Sequence, residues 1–163
     1  MIFNVATGYS QKHLTLVYSG ANENVIEAIK KANEILKNRN FYDEIRKVSK
    51  FDNSKLTGNQ IAERMEKATQ TIQIKRRIKP IANAGTTTSD AIKISRSLFG
   101  KDSTGAFVLS VAVNTLIHET VHAVDFLNTG DEFTHNGNSP KGQENTAPWI
   151  IGAIAENMVK DKH

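Results

Sequence analysis

The sequence predicts an α+β fold, in which a small mixed sheet packs against one buried helix. Apolar residues recur at helical spacing in some segments and alternate with polar residues in others, which indicates both helices and strands. A length of 163 residues is enough for one hydrophobic core, and no internal repeat or linker divides the chain. We therefore expect a single domain over residues 1–163.

The N-terminal part of the chain is predicted to form a strand followed by three helices. Residues 13–18 (HLTLVY) alternate between apolar and polar side chains, as a short strand does. A helix is predicted over residues 22–38, with the asparagine at its start as N-cap, and a shorter helix within residues 41–50. Thr57 and Gln60 have the spacing of a capping box and open the third helix.

Two further strands are predicted in the middle of the chain. Residues 71–78 (TIQIKRRI) alternate, and Pro80 ends the pattern. Residues 82–90 (ANAGTTTSD) are small and polar, which predicts a loop, and residues 91–98 (AIKISRSL) alternate again as the next strand.

A long apolar helix is predicted over residues 106–127. Its apolar residues lie on nearly all sides, as expected of a helix buried within a small domain. His118, Glu119 and His122 form the pattern HExxH, in which two histidines lie one turn apart and can bind one zinc ion. Glu119 is placed to act as the general base. A purely structural role explains this residue less well, because burying an unpaired carboxylate costs several kcal/mol.

A catalytic zinc site usually has three protein ligands, so a third ligand is expected. His135 lies 13 residues after His122, far enough for the chain to turn at Gly130 and return. We predict His135 as this ligand. Glu144 and Glu156 are the carboxylate alternatives.

The C-terminal part of the chain carries one more helix and one further polar residue of interest. The helix is predicted over residues 146–160, with Pro148 tolerated in its first turn. Asp125, three residues after His122, has two interpretations. It either orients a ligand histidine or makes an ordinary hydrogen bond to the loop that follows the long helix.

The charge is distributed unevenly along the chain. Residues 1–101 carry 18 basic and 9 acidic side chains, whereas residues 102–163 carry 3 and 8. The basic first half, with its sharpest cluster at residues 75–79 (KRRIK), could bind nucleic acid or an acidic substrate, but a solvated basic strand is the simpler interpretation.

Other features of the sequence bear on cofactors and location. The absence of cysteine excludes disulfides and thiolate ligands, which leaves histidine and carboxylate for zinc. No segment is long and apolar enough to suggest a transmembrane span, and no secretory signal is recognisable. We expect a cytoplasmic protein without a membrane partner, with export by a signal-independent system as the alternative.

The motif helix with a strand before it and candidate ligands after it resembles the zincin metallopeptidases, loosely over residues 91–156 and closely over residues 114–128. The histidine in THNGN is similar to the SprT-type ligand spacing, a subgroup that implies cleavage of DNA-bound proteins. Asp125 and Asn128 stand where the longer metzincin motif has glycine and histidine, so the chain is not a metzincin. The segment after residue 135 is more similar to small bacterial and phage metallopeptidases.

The resemblance implies a minimal zincin-like domain with Zn²⁺ as cofactor, His118 and His122 as ligands, and Glu119 as general base. It also implies that the strand before the motif helix is a substrate-lining edge strand, which would bind an extended peptide through main-chain hydrogen bonds.

Three functions follow from these features. The first is a zinc metallopeptidase that hydrolyses peptide bonds in a protein or peptide substrate. The second is a zinc hydrolase of cell-wall peptides, acting as a toxin or effector. The third is a nucleic-acid-binding module whose metal is structural or absent. Candidates for a donor that stabilises the oxyanion of a peptidase are Tyr9, Tyr18, Tyr42 and the basic strand.

Overall fold

The computed structural model confirms the α+β class. It describes residues 13–77, 85–128, 132–133, 135 and 141–161. The elements, in chain order, are β1 (Thr15–Val17), α1 (Glu23–Leu36), α2 (Arg39–Lys47), α3 (Gly58–Lys67), β2 (Thr71–Arg77), β3 (Gly85–Thr87), β4 (Ala91–Ser95), α4 (Leu109–Asn128) and α5 (Ala147–Lys160). Most elements lie within a few residues of their predicted positions.

The strands form one mixed sheet in the order β1-β2-β4-β3. β1, β2 and β4 are parallel to one another, and β3 runs antiparallel to β4. The strand predicted over residues 91–98 was expected at the sheet edge, and this expectation was wrong, because β4 lies between β2 and β3. The edge position next to β4 belongs to β3, which lies within the segment predicted to be a loop.

Two local features explain why β3 was not predicted and why β4 is shorter than the predicted strand over residues 91–98. β3 is only three residues long and contains no apolar side chain, so it lacks the alternating pattern that marks a half-buried strand. β4 ends at Ser95, whose hydroxyl oxygen accepts the backbone N–H groups of Ser97 and Leu98 and so stabilises a turn.

The sheet is apolar on the side that faces the helices. Ile72 and Ile74 of β2 and Ile92 and Ile94 of β4 are buried, whereas Thr71, Gln73, Lys75 and Lys93 are exposed. In β2 the buried and exposed side chains alternate, because successive side chains of a strand point to opposite faces. Only the apolar side of the sheet therefore contributes to the main core.

α4 is the central helix of the core. It packs against α1 and α5 and against β3 and β4, and its buried residues lie on nearly all sides, as the sequence predicted. α5 approaches it closely at Gly152, where an added Cβ would lie 2.5 Å from the Asn114 side-chain oxygen. Within the part of the chain that the structure describes, no helix is long and apolar enough to cross a membrane.

The predicted helix starts are confirmed at two positions. The Asn22 side chain accepts the Val25 N–H at the start of α1. Thr57 and Gln60 form the predicted capping box at the start of α3. Both caps satisfy backbone N–H groups that have no partner within the helix.

The Asn33 side chain of α1 attaches that helix to β1. Its oxygen accepts the Leu16 N–H and its amide donates to the Leu16 carbonyl, both at 2.9 Å. β1 pairs with β2 on its other side. Asn33 therefore takes the place of a neighbouring strand and closes this edge of the sheet to further pairing.

We predict that Asn33→Ala lowers the free energy of unfolding by about 1–3 kcal/mol, because two part-buried backbone groups lose their partner. Urea denaturation followed by circular dichroism measures the change. Asn24→Ala, at an exposed position of the same helix, is the matched control and should stay within about 0.5 kcal/mol of the wild type. Equal stability of both variants would contradict a structural role for the Asn33 side chain.

Candidate metal centre

α4 presents His118 and His122 on one helix face, as their spacing predicts. Their ring centroids lie 5.1 Å apart. His118 is 8% exposed and His122 is partly buried. The rigid helix thus holds two nitrogen donors side by side.

His135 lies at the same face of α4. Two residues that precede it, Glu132 and Phe133, are held by contacts to α4 and α3. The Asp125 carboxylate of α4 is buried, and its two oxygens accept the Glu132 and Phe133 N–H groups, each at 3.1 Å. Arg64 of α3 forms an ion pair with Glu132, and its guanidinium lies 5.8 Å from the centre of the buried Phe133 ring. These contacts fix the backbone at Glu132 and Phe133, which precede His135 by three and two residues.

Three histidine nitrogens converge as a result. His135 Nε2 lies 3.0 Å from His118 Nε2 and 3.1 Å from His122 Nε2. For comparison, two nitrogens bound to one tetrahedral zinc at about 2.0–2.1 Å would lie about 3.3 Å apart. In the described part of the chain, His118, His122 and His135 are the group whose ligand atoms are close enough to hold one metal ion.

The start of α5 forms a wall of the cluster. The Trp149 ring packs edge-on against His118 at 4.6 Å between centroids and stacks against His135 at 6.1 Å. The His118 ring also hydrogen-bonds to the backbone of Pro148, and since proline has no N–H, the histidine must be the donor. Because His118 Nε2 faces His135, the donating atom is Nδ1. This bond selects the tautomer whose Nε2 lone pair points into the cluster.

Burial favours the neutral forms of His118 and His122. It lowers the pKa of His118 well below its usual value, an effect to which charge on His122 and His135 adds and which the Pro148 bond opposes. Burial, with a further contribution from His135, lowers the pKa of His122 to about 4. Neutral imidazole is the form that binds metal, so at neutral pH both rings are ready to coordinate without first losing a proton.

Glu119 lies on α4 beside the cluster and is 8% exposed. Its carboxylate accepts a hydrogen bond from the Thr87 hydroxyl of β3. Burial raises the pKa of Glu119, and the Thr87 bond partly opposes this shift. No ion pair in the described part of the chain involves Glu119, so its carboxylate keeps the capacity to exchange a proton.

The alternative ligand Glu156 is engaged elsewhere. It accepts a hydrogen bond from the Asn114 amide at 2.6 Å and pairs with Lys160 at 2.7 Å, and these partners lower its pKa against the opposing effect of burial. Glu144 is exposed in the turns before α5. Neither carboxylate belongs to the histidine cluster.

The structure also shows the contacts of Asp125 and of Tyr42, one of the candidate oxyanion donors. Asp125 makes the bond to the following loop, which was one of its two interpretations. The buried Tyr42 hydroxyl donates to the Leu36 carbonyl at 2.6 Å, so it is not a free oxyanion donor. Tyr9 lies outside the described residues, as do residues 78–79 of the basic cluster.

Sequence reasoning missed three residues that contact the site, namely Thr87, Pro148 and Trp149. Thr87 was hidden in the segment read as a loop, and the other two belong to a helix for which no contact was predicted. A single aromatic residue in the first turn of the last helix was the one available signal.

No protein-family model matches the chain, and neither a curated protein nor a solved structure matches it. Its chemistry must therefore be inferred from the site residues themselves.

We predict that His135→Ala weakens metal binding far more than Glu156→Gln does. The first change removes one of three converging nitrogens, whereas the second removes a carboxylate bound to Asn114 and Lys160. Titration with Zn²⁺ or Co²⁺ against a chromophoric chelator measures both affinities. A loss of affinity in Glu156→Gln, with His135→Ala unchanged, would reverse the assignment of the third ligand.

We also predict that Asp125→Asn lowers metal affinity, because it loosens the backbone at Glu132 and Phe133 and so the placement of His135. The expected loss is about 10-fold, the lower end of the effect of altering a group bonded directly to a ligand. An amide oxygen can accept one of the two backbone N–H groups, but the amide nitrogen would oppose the other. The same chelator competition measures the change. Asp43→Asn, on the surface of α2, is the control for the loss of one negative charge, and an equal effect in both variants would exclude a specific role for Asp125.

Proposed function

We propose that this chain is a zinc-dependent metallopeptidase of the zincin type. The observation that carries the proposal is the convergence of His118, His122 and His135 at Nε2 distances of 3.0 and 3.1 Å, beside a buried glutamate on the same helix. Burying polar side chains in an apolar helix costs free energy unless they have bonding partners. A three-histidine metal site with an adjacent base accounts for the two histidines and the glutamate of α4 and for the position of His135 beside them.

Zinc suits this set of donors better than Mg²⁺ or Ca²⁺ does. Mg²⁺ and Ca²⁺ prefer oxygen ligands, and the cluster offers nitrogen atoms alone. Three histidines leave a fourth position open, as catalytic zinc sites do. When bound, zinc lowers the pKa of water towards 7 and polarises a substrate carbonyl.

Glu119 is the residue we assign as general base. The Thr87 hydroxyl donates to Glu119 Oε2, which orients the carboxylate and leaves Oε1 to accept a proton from water and deliver it to the leaving amine. The raised pKa of Glu119 favours proton delivery to the leaving amine. A carboxyl group with a pKa closer to neutral pH binds the proton more strongly, so it can hold the proton until the amine accepts it.

Peptide as the substrate class is supported by β3. Its Thr87 contacts Glu119, so this strand lies alongside the metal helix. Among the described residues β3 pairs only with β4, and we propose that an extended peptide forms main-chain hydrogen bonds at the other edge of β3. The role expected of the strand over residues 91–98 thus falls to the preceding strand.

We predict that Glu119→Gln retains zinc binding but lowers the rate of peptide hydrolysis by about 10²- to 10⁴-fold, the usual contribution of a general base. The amide can still accept the Thr87 hydrogen bond but cannot accept the proton from water. Hydrolysis of an unfolded protein and of a fluorogenic peptide mixture by the zinc-loaded full chain measures the rate.

The matched control is Glu27→Gln, at an exposed position of α1, which should leave the rate unchanged. Added chelator should abolish hydrolysis by the wild type, and Zn²⁺ should restore it. Undiminished activity of Glu119→Gln, or activity that survives chelation, would refute the peptidase mechanism. Hydrolysis of peptidoglycan but of no linear peptide would instead favour the cell-wall alternative.

A further inference from the structure

The face of the sheet turned away from the helices carries a compact group of cations. Lys75 of β2 is in direct register with Lys93 of β4, and Arg77 follows two residues along β2. Strands lie about 4.8 Å apart and alternate residues about 6.6 Å apart, so the three Cα atoms lie within roughly 8 Å of one another. Both lysines are exposed and Arg77 is partly buried.

These cations lack acidic partners in the described part of the chain. The ion pairs found there involve helical residues and Glu132, and none includes Lys75, Arg77 or Lys93. The nearest carboxylate in sequence, Asp90, accepts a hydrogen bond from the Thr88 hydroxyl. Like charges in register on adjacent strands repel each other and lower the stability of the isolated protein. An anionic partner would reduce this repulsion.

The neighbouring side chains narrow the choice of partner. The exposed residues beside the cations on β2 are Thr71 and Gln73, which can donate hydrogen bonds to phosphate oxygens. The described strand residues of this face include no aromatic side chain for stacking on unpaired bases, and none of the large exposed apolar residues lies in β2 or β4. Aromatic or large apolar side chains at the surface are usually needed to bind single-stranded nucleic acid, a lipid surface or another protein.

We propose that this face, defined by Thr71, Gln73, Lys75, Arg77 and Lys93, binds the phosphate backbone of double-stranded nucleic acid without reading its sequence. A duplex presents a dense, regular row of negative charges, about one per 1.7 Å of its axis. Three cations on adjacent strands match such a row, and the polar residues beside them add neutral donors.

The proposed surface is separate from the metal centre. Thr87, which contacts Glu119, shares the face of Ile92, its partner in β4, whereas Lys93 points to the opposite side. The metal cluster and the cationic face therefore lie on opposite sides of the sheet. Nucleic-acid binding does not depend on the peptidase proposal, and each can fail alone.

The test is binding of the 163-residue chain to a fluorescent 20-base-pair duplex at several salt concentrations. With three phosphate contacts, the logarithm of affinity should fall with the logarithm of salt at a slope of about −2.7, or about 40-fold between 50 and 200 mM. The triple variant Lys75→Gln, Arg77→Gln, Lys93→Gln should lose this dependence and most of its affinity. Lys93→Gln alone should reduce the slope by about 0.9, which keeps the test decisive if the triple variant folds poorly.

The control carries the same change in net charge at other exposed positions, Lys30→Gln, Lys37→Gln and Lys55→Gln, and should bind like the wild type. Equal weakening of both triple variants would overturn the proposal, because net charge alone would then explain binding. Wild-type binding by the face variants would overturn it too. Binding to vesicles rich in anionic lipid, without binding to duplex, would assign the face to a membrane instead.

Discussion

The structure depends on how three polar side chains, His118, Glu119 and His122, are accommodated within one apolar helix. α4 buries His118 and Glu119 almost completely and holds His122 close by, in surroundings that disfavour every charged form. Each neighbouring element supplies part of the compensation. α5 offers the Pro148 carbonyl and the Trp149 ring, β3 offers the Thr87 hydroxyl, and the segment before His135 returns a third imidazole. The sheet and the helices are thus arranged around the requirements of these groups.

The sequence was sufficient for features that depend on local pattern. Periodicity located the helices, a capping box marked the start of α3, and the HExxH spacing placed two histidines on one face of α4. It was insufficient where tertiary contacts decide. The three residues of β3 acquire strand geometry from pairing with β4, and without an apolar pattern nothing local distinguishes them from a loop. The interior position of β4 follows from the same pairing.

The third histidine shows the same limit. Its spacing made His135 a good candidate, but the spacing could not exclude Glu156 on a packed helix. The decision rests on contacts between distant residues, above all Asp125 with the two N–H groups before His135, and Arg64 with a glutamate 68 residues later in the chain. α3, which has no residue in the cluster, thereby helps to position His135. Glu156, conversely, is occupied by neighbours on α4 and α5.

The position of Glu132, Phe133 and His135 beside α4 has a consequence for stability if the proposed metal binds. A cation bound by all three histidines would join these residues to α4 as a reversible cross-link, and only the folded chain brings the three nitrogens together. At a free concentration about a thousand times the dissociation constant, such a ligand adds about 4 kcal/mol to the stability of the fold. If the proposed ion binds, its removal would therefore lower the stability of the fold as well as empty the site.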